Sequence, residues 1–322
     1  MYDDNYNIYQ WGLMGNATTI AIVGLGKIAR DQHLPSIAGN SAFRLIATAS
    51  PHNRLEQVPA YKDTAELLGA RTDLEAVALC TTPQVRYDAA RLALEHGCHV
   101  LLEKPPGATL GEVRALVELA AVKGVTLLAS WHSRFANGVE PARAWLASRR
   151  IRRVSVTWQE DVRVWHPGQT WIWKAGGLGV FDPGINALSI LTRIIPGNVV
   201  LRDATLYFPS NCECPIAATL NLGDQHGAPI HMELNFRHTG TESWDIKVET
   251  DEGTLLLSRG ASVLQINGQA VAVAQASEYS RLYAHFAALI GERRSDTDTA
   301  PFTLVADAFL CGRRVEVEPF NE

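Results

Sequence analysis

The sequence predicts an α/β protein in which a doubly wound parallel sheet is followed by an α+β domain with a mostly antiparallel sheet. Strands and helices alternate from Thr18 to Ser130, as in parallel sheets that carry helices on both faces. A glycine-rich turn separates the first strand from the first helix. After Arg134, β-like segments follow one another with few helices between them, which is typical of an antiparallel sheet.

Size and composition limit the possible partners. A chain of 322 residues suggests two domains. Its 47% hydrophobic and 20% charged residues indicate a globular protein. The net charge of -5 argues against a general affinity for nucleic acid or anionic membranes. No apolar run is long enough to span a bilayer. We therefore expect a small-molecule substrate, with no nucleic acid and no membrane as partner.

The N-terminus and the cysteines favour a cytoplasmic protein. Residues 1–17 lack the basic start and apolar core of a secretory signal, and we predict a loosely ordered tail there. Five scattered cysteines form no disulfide framework and fit a reducing compartment. Cys212 and Cys214 are close together, but no second pair has zinc-site spacing. We therefore predict no metal.

The first half begins with a buried, β-rich strand over Thr18–Val23. A helical pattern then runs to about Ile37. The remaining elements predicted for this half are strands at 43–49, 76–80, 99–102 and 125–130, and helices at 85–96 and 110–123.

The glycine-rich turn has the pattern G-x-G-x-x-A. Gly24 permits a tight turn, Gly26 lets the backbone approach a pyrophosphate, and Ala29 allows close helix–strand packing. The helix start, with Lys27 and Ile28, then presents N–H groups to phosphates. A plain glycine turn is the alternative, but the strand–helix context favours dinucleotide binding.

A second motif follows the strand predicted at 99–102. The chain continues as Glu103-Lys104-Pro105-Pro106. Because proline cannot continue a central strand, Lys104 is predicted to lie at the carboxyl edge of the sheet. Ligands of open α/β sheets bind at that edge. The alternative is a surface turn with a solvated ion pair.

The second half is richer in strands. The basic cluster at 149–153 is interpreted as a solvated turn that enters a strand. The elements predicted for this half are helices at 139–146, 278–290 and 302–312, and strands at 154–161, 199–208, 216–222, 230–237, 244–249 and 254–257.

A glycine-rich stretch, Gly176 to Asn186, leads into a helix that ends near Ile194. Asp182 and Asn186 are four residues apart and therefore share one helix face. Asp182 could instead cap the helix, with Pro183 at its first position. The two roles are compatible.

Together, the glycine turn, Glu103-Lys104-Pro105 and the Gly176–Asn186 stretch resemble the Gfo/Idh/MocA family of NAD(P)-dependent sugar oxidoreductases. The resemblance runs from about residue 19 to residue 318. Residues 160–169 and 179–190 are similar to bacterial aldose 1-dehydrogenases that act on L-arabinose and D-galactose. The resemblance implies a Rossmann domain (18–135) and an α+β domain (136–322) with an open, mostly antiparallel sheet. It further implies an active site between them, a last helix that docks on the Rossmann domain, and a homodimer through the open sheet.

The resemblance also implies roles for individual residues. Lys104 and Asp182 would lie at the anomeric hydroxyl, with Lys104 handling the proton and Asp182 orienting it and sharing the proton. Which of the two is the base stays open, because lysine is protonated at neutral pH unless its surroundings lower its pKa. Glu160, His166 and Asn186 would bind the other sugar hydroxyls, although His166 alone has the pattern of an ordinary loop histidine. Much of the family has histidine in place of Asn186, and this departure fits the aldose subgroup.

The implied reaction is the oxidation of an aldose at C1 to the aldonolactone, with L-arabinose and also D-galactose as substrates. One alternative is oxidation of a ring hydroxyl, as in inositol dehydrogenases. Another is a non-catalytic NAD(P)-binding regulator, against which the retention of Lys104 and Asp182 argues. The resemblance also implies a cis peptide bond between Lys104 and Pro105.

The end of the second strand indicates which cofactor is used. Strict NAD enzymes carry Asp or Glu there, to bind the ribose 2′-hydroxyl, whereas this chain has Ser50. Ser50 can donate to a 2′-phosphate and Arg54 can reach it, unless Arg54 is only a solvated loop charge. We therefore predict dual use with a modest tilt toward NADP over NAD. The other predicted cofactor contacts lie at the ends of two later strands: Thr81, Thr82, Glu103 and Lys104.

Overall fold

The computed structural model describes residues 17–322 and divides them into two compact units. The first unit comprises the described residues up to Pro106, together with Glu112–Ser130 and Tyr279–Thr297. The second comprises Gly107–Gly111, Trp131–Glu278 and Asp298–Glu322. The predicted tail at 1–17 lies, except for Ala17, outside the described residues.

Each unit contains one sheet and several helices. The strands are β1 (Thr18–Val23), β2 (Phe43–Ala49), β3 (Ala60–Tyr61), β4 (Ala76–Leu79), β5 (His99–Leu102), β6 (Leu127–Ala129), β7 (Ile151–Gln159), β8 (Val199–Pro209), β9 (Ala217–Asp224), β10 (Pro229–Asn235), β11 (Ser243–Thr250), β12 (Gly253–Ser258), β13 (Val263–Ile266), β14 (Gln269–Val271) and β15 (Arg313–Val317). The α-helices are α1 (Leu34–Ala38), α2 (Thr64–Ala70), α3 (Pro83–Glu95), α4 (Leu110–Lys123), α5 (Val139–Leu146), α6 (Val162–Trp165), α7 (Phe181–Ile194), α8 (Glu278–Glu292) and α9 (Ala300–Cys311).

The first unit contains a parallel sheet in the order β3-β2-β1-β4-β5-β6. Its central strands are almost completely buried, as expected where helices cover both faces. The strand order reverses direction between β1 and β4, which makes the carboxyl edge there the switch point at which such sheets bind ligands. The predicted parallel sheet is confirmed.

The second unit contains a nine-stranded sheet in the order β14-β13-β12-β11-β7-β10-β9-β8-β15. Only the β7–β10 and β8–β15 pairs among the described strands are parallel, so the sheet is mostly antiparallel, as predicted. Helix α7 is buried along most of its length and packs against α5, α9 and the strands β7 and β11. It forms the core of this unit.

The bounds of the units differ from those we expected. The last helix, α9, belongs to the second unit and packs on α7 and β8. Its docking on the Rossmann domain stays a prediction. Helix α8 joins the first unit, apart from its first residue. The physical reason is aromatic packing, since Phe286 stacks on Phe43 of β2 with ring centroids 5.6 Å apart. The N-terminal part of the first unit extends to Ser130, where a boundary at 135 was expected.

None of the helices formed by residues 17–322 is long and apolar enough to cross a membrane.

Candidate active site

The carboxyl edge of the first sheet carries several of the predicted cofactor residues. Strand pairing aligns the last residues of neighbouring strands, and the hydrogen bonds between strands continue for one residue beyond the strand ends. The Gly24 N–H donates to the Ala49 carbonyl at 2.8 Å, and the Glu103 N–H donates to the Leu79 carbonyl at 3.1 Å. Three of the predicted residues directly follow their strands at this edge: Gly24, Ser50 and Glu103. Thr81 and Lys104 each stand two residues after a strand.

The glycine turn has the geometry of a phosphate site. Gly24 has a φ of +88°, and a Cβ there would lie 2.7 Å from the Thr81 nitrogen, so only glycine fits. Gly26 is exposed, and a Cβ on it would have no atom within 4 Å, which leaves open space against the backbone. Next to it, the exposed Lys27 ammonium pairs with Asp31. These residues fit a dinucleotide phosphate, as the sequence predicts.

The loop after β2 carries the residues predicted to select the cofactor. Ser50 is half-buried, and its Oγ accepts a hydrogen bond from the Asn53 N–H at 3.4 Å. Arg54 is exposed. The Arg30 guanidinium donates to the Arg54 carbonyl at 3.3 Å and brings a second positive charge to this loop. Sequence reasoning missed Arg30, although it directly follows the last residue of the glycine motif.

Lys104 lies in a rigid segment of backbone. Its peptide bond to Pro105 is cis, which confirms the prediction. Its N–H donates to the Glu103 carboxylate at 2.8 Å. The buried Arg86 guanidinium donates to the carbonyls of Glu103 and Pro105. The peptide group before Lys104 and the one after Pro105 are thus held by charged side chains, and the Lys104 side chain between them is half-buried.

The start of α7 corrects one interpretation. The helix begins at Phe181 and its cap residue is Val180, so Asp182 stands in the first turn and does not cap the helix. A sharp turn at Gly179 allows the helix to begin at Phe181, two residues before Pro183. Gly179 has a φ of +54°, and a Cβ there would lie 2.2 Å from the Pro215 carbonyl oxygen. Only 2% of Asp182 is exposed.

The structure brings Asp182 and His166 together. The His166 Nε2 lies 3.5 Å from Asp182 Oδ2, and the His166 Nδ1 lies 3.5 Å from Gln169 Oε1. The imidazole also packs edge-on against Phe236, with ring centroids 5.6 Å apart. The His166 imidazole therefore lies beside the Asp182 carboxylate.

Glu160 and Asn186 lie in the same unit. Glu160 follows β7, is 5% exposed, and accepts a hydrogen bond from the Trp244 indole at 2.8 Å. A buried carboxylate of this kind requires such donors. Asn186 is half-buried, one helical turn after Asp182. Sequence reasoning missed Trp244, which lies 84 residues away from Glu160 in the chain.

Across residues 17–322, no three His, Cys, Asp or Glu side chains are grouped so that they could hold a metal ion.

Comparison with known proteins identifies the family. Residues 18–130 match the sequence model of the Gfo/Idh/MocA oxidoreductase family, which is described as having an NAD-binding Rossmann fold. The chain is 44% identical over 305 residues to galactose 1-dehydrogenase from Pseudomonas fluorescens, and the match spans 94% of this chain and 98% of that protein. The chain belongs to the Gfo/Idh/MocA family.

Two solved structures resemble the chain to different degrees. The D-galactose-1-dehydrogenase from Rhizobium etli superposes with a TM-score of 0.92 at 52% identity, covering 97% of this chain and 100% of that chain. A 3-ketoreductase from Actinomadura kijaniata, solved with NADP and TDP-benzene, superposes with a TM-score of 0.81 at 16% identity, covering 94% and 100%. The second likeness shows the fold alone. The chain described here is an oxidoreductase of this family. Its likeness to the two galactose 1-dehydrogenases supports aldose 1-dehydrogenase activity.

Proposed function

We propose that this Gfo/Idh/MocA protein oxidises D-galactose and L-arabinose at C1 to the aldonolactone, with NADP or NAD as the oxidant. The observation that carries the proposal is the likeness to galactose 1-dehydrogenases along nearly the whole of both chains. Its support from the structure is a lysine held at the carboxyl edge of the parallel sheet and a buried aspartate paired with histidine in the second unit.

The reaction breaks two bonds of the sugar, the C1–H bond and the anomeric O–H bond. The C1–H bond breaks with its electron pair, the anomeric O–H loses its proton, and a C1=O bond forms. When bound, the nicotinamide ring supplies the acceptor for the hydride. The protein must orient C1 and take up the proton. We assign that proton to Lys104 and Asp182, which we propose act on the same hydroxyl.

We further propose that Glu160, His166 and Asn186 bind the ring hydroxyls. A carboxylate accepts a hydrogen bond from a hydroxyl, whereas neutral imidazole and amide groups can both donate and accept one. Contacts from neighbouring side chains support this role, since Trp244 orients Glu160 and Asp182 orients His166. D-Galactose and L-arabinose share their configuration at C2 to C4 and differ beyond the ring, so one set of contacts can serve both sugars.

An initial-rate screen of aldoses tests this proposal. We expect turnover of both D-galactose and L-arabinose, with kcat/KM for D-glucose lower by about 10²-fold or more. The C4 hydroxyl of D-glucose points the other way and leaves buried polar groups without partners. The measurement is the growth of the reduced-nicotinamide absorbance under saturating cofactor. Comparable kcat/KM for D-glucose would contradict the proposed sugar contacts.

For the cofactor we propose dual use, with NADP used at least as well as NAD. The support is the half-buried Ser50 and the two guanidinium groups, of Arg54 and Arg30, at the loop after β2. A guanidinium can make charge-assisted hydrogen bonds to a 2′-phosphate. The same screen is run with both cofactors at saturating D-galactose. A preference for NAD of about tenfold, which corresponds to about 1.4 kcal/mol, would show that these residues form no 2′-phosphate site.

A further inference from the structure

A fully buried histidine lies in the helical segment that follows the glycine turn. His33 closes the π-helical stretch Ala29–His33, which begins at the last residue of the G-x-G-x-x-A motif. Its two ring nitrogens face in different directions. Nε2 lies 3.0 Å from Glu103 Oε1, and Nδ1 lies 2.8 Å from the Tyr283 hydroxyl on α8.

Glu103 connects this histidine to Lys104. Its Oε1 atom receives a second hydrogen bond, from the Tyr279 hydroxyl at 2.6 Å. Its other oxygen, Oε2, accepts the Lys104 N–H at 2.8 Å. Only 3% of Glu103 is exposed. A continuous chain of hydrogen bonds therefore runs from the phosphate-binding helix, through one carboxylate, to the Lys104 backbone.

Electrostatics strengthens this arrangement. Burial alone lowers the pKa of the His33 imidazole, but Cys80, Tyr283 and Glu103 around it outweigh burial and raise the pKa well above its ordinary value. This direction favours a positively charged His33 beside the Glu103 carboxylate, and a hydrogen bond between two charged groups is stronger than a neutral one.

We propose that His33 is a positioning residue, which holds the Glu103 carboxylate and thereby fixes the Lys104 backbone relative to the glycine turn. This inference rests on the proposed role of Lys104 in aldose oxidation. Catalysis needs the proton-accepting group within a few tenths of an ångström of its productive place, and a misplacement of about 1 Å can cost about 10²-fold in rate. Through Glu103, His33 can influence the position of Lys104 without itself contacting the substrate.

Three variants separate positioning from stability. His33→Leu removes the donor to Glu103, His33→Gln keeps an amide donor near the Nε2 position, and Phe43→Leu perturbs the same aromatic cluster without touching Glu103. For His33→Leu we expect kcat to fall by about 10²-fold, with the cofactor Kd changed by no more than about threefold. For His33→Gln we expect partial recovery of kcat. Phe43→Leu should lower Tm and leave kcat near that of the wild type.

A purely structural role for His33 would give the opposite pattern, in which His33→Leu lowers Tm as Phe43→Leu does and leaves kcat within about threefold of the wild type. That result overturns the proposal. If His33→Leu does not fold, Tyr279→Phe removes the other side-chain donor to the same Glu103 oxygen, and a kcat unchanged in both Tyr279→Phe and His33→Gln would likewise overturn it.

The chemical reactivity of Lys104 can be measured without turnover, and it therefore tests this inference separately from the proposed function. The rate at which an amine-reactive acylating reagent modifies Lys104 is measured by peptide mass mapping in the wild type and in His33→Leu. A changed rate supports positioning even if the wild type oxidises no aldose, in which case only the proposed function fails. An unchanged rate together with an unchanged kcat contradicts positioning.

Discussion

Replacing Lys104 with methionine is expected to lower kcat for D-galactose by about 10²- to 10⁴-fold, the range that a positioned proton-transfer group contributes. Methionine keeps much of the length of the side chain and removes its nitrogen. The backbone around position 104 is held by Glu103 and Arg86, so the fold should survive the change. The measurements are steady-state kcat and, separately, the Kd of the reduced cofactor by fluorescence titration.

The matched control for Lys104→Met is Lys123→Met. Lys123 stands in the last turn of α4 in the same unit, and its ammonium reaches the Glu95 carbonyl at 3.1 Å. This variant should keep the kcat and the cofactor Kd of the wild type. A Lys104→Met enzyme with near wild-type kcat would remove Lys104 from the chemistry.

The second large effect is expected for Asp182→Asn, with kcat lower by about 10²-fold or more. Asparagine has nearly the volume of aspartate but lacks its charge, and it cannot accept a proton. The carboxylate is buried and lies next to His166, so the change also weakens the orientation of that ring. Steady-state kinetics with D-galactose, accompanied by a thermal melt, measures the effect.

Asp224→Asn provides the control for Asp182→Asn, because it is also a buried aspartate of the second unit. Asp224 serves the turn between β9 and β10, where its carboxylate accepts the N–H groups of His226 and Ala228. Asp224→Asn is therefore expected to lower Tm without lowering kcat. Equal kinetic losses in both variants would mean that the Asp182 effect is structural.

The regular elements were predictable wherever a local pattern determined them. Strands β1 and β5 and helix α4 have the bounds that apolar runs and helical periodicity predict. The sequence analysis missed β15, whose alternating charges are typical of an edge strand and hide its pairing with β8. It also missed α2, which has only seven residues and was recognisable mainly from its Asp63 cap.

The members of the candidate site could be proposed from the sequence, whereas the contacts around them could not. Lys104 and Asp182 were proposed because they stand in glycine- and proline-containing motifs that resemble those of the family. The contacts of Glu103, which precedes Lys104, come from far along the chain. His33 contacts Glu103, which is 70 residues away in the chain, and Tyr283, which is 250 residues away. No local pattern encodes such contacts, since they depend on how strands and helices pack.

The position of the oxidised carbon is tested most directly with deuterated sugar. D-Galactose labelled with deuterium at C1 is incubated with wild-type enzyme and oxidised cofactor, and the reduced cofactor is analysed by mass spectrometry. D-Galactose labelled at C3 serves as the control for oxidation of a ring hydroxyl. Oxidation at C1 predicts that deuterium appears in the reduced cofactor from the C1-labelled sugar alone. Deuterium from the C3-labelled sugar, or no reduced cofactor with either sugar, would contradict it.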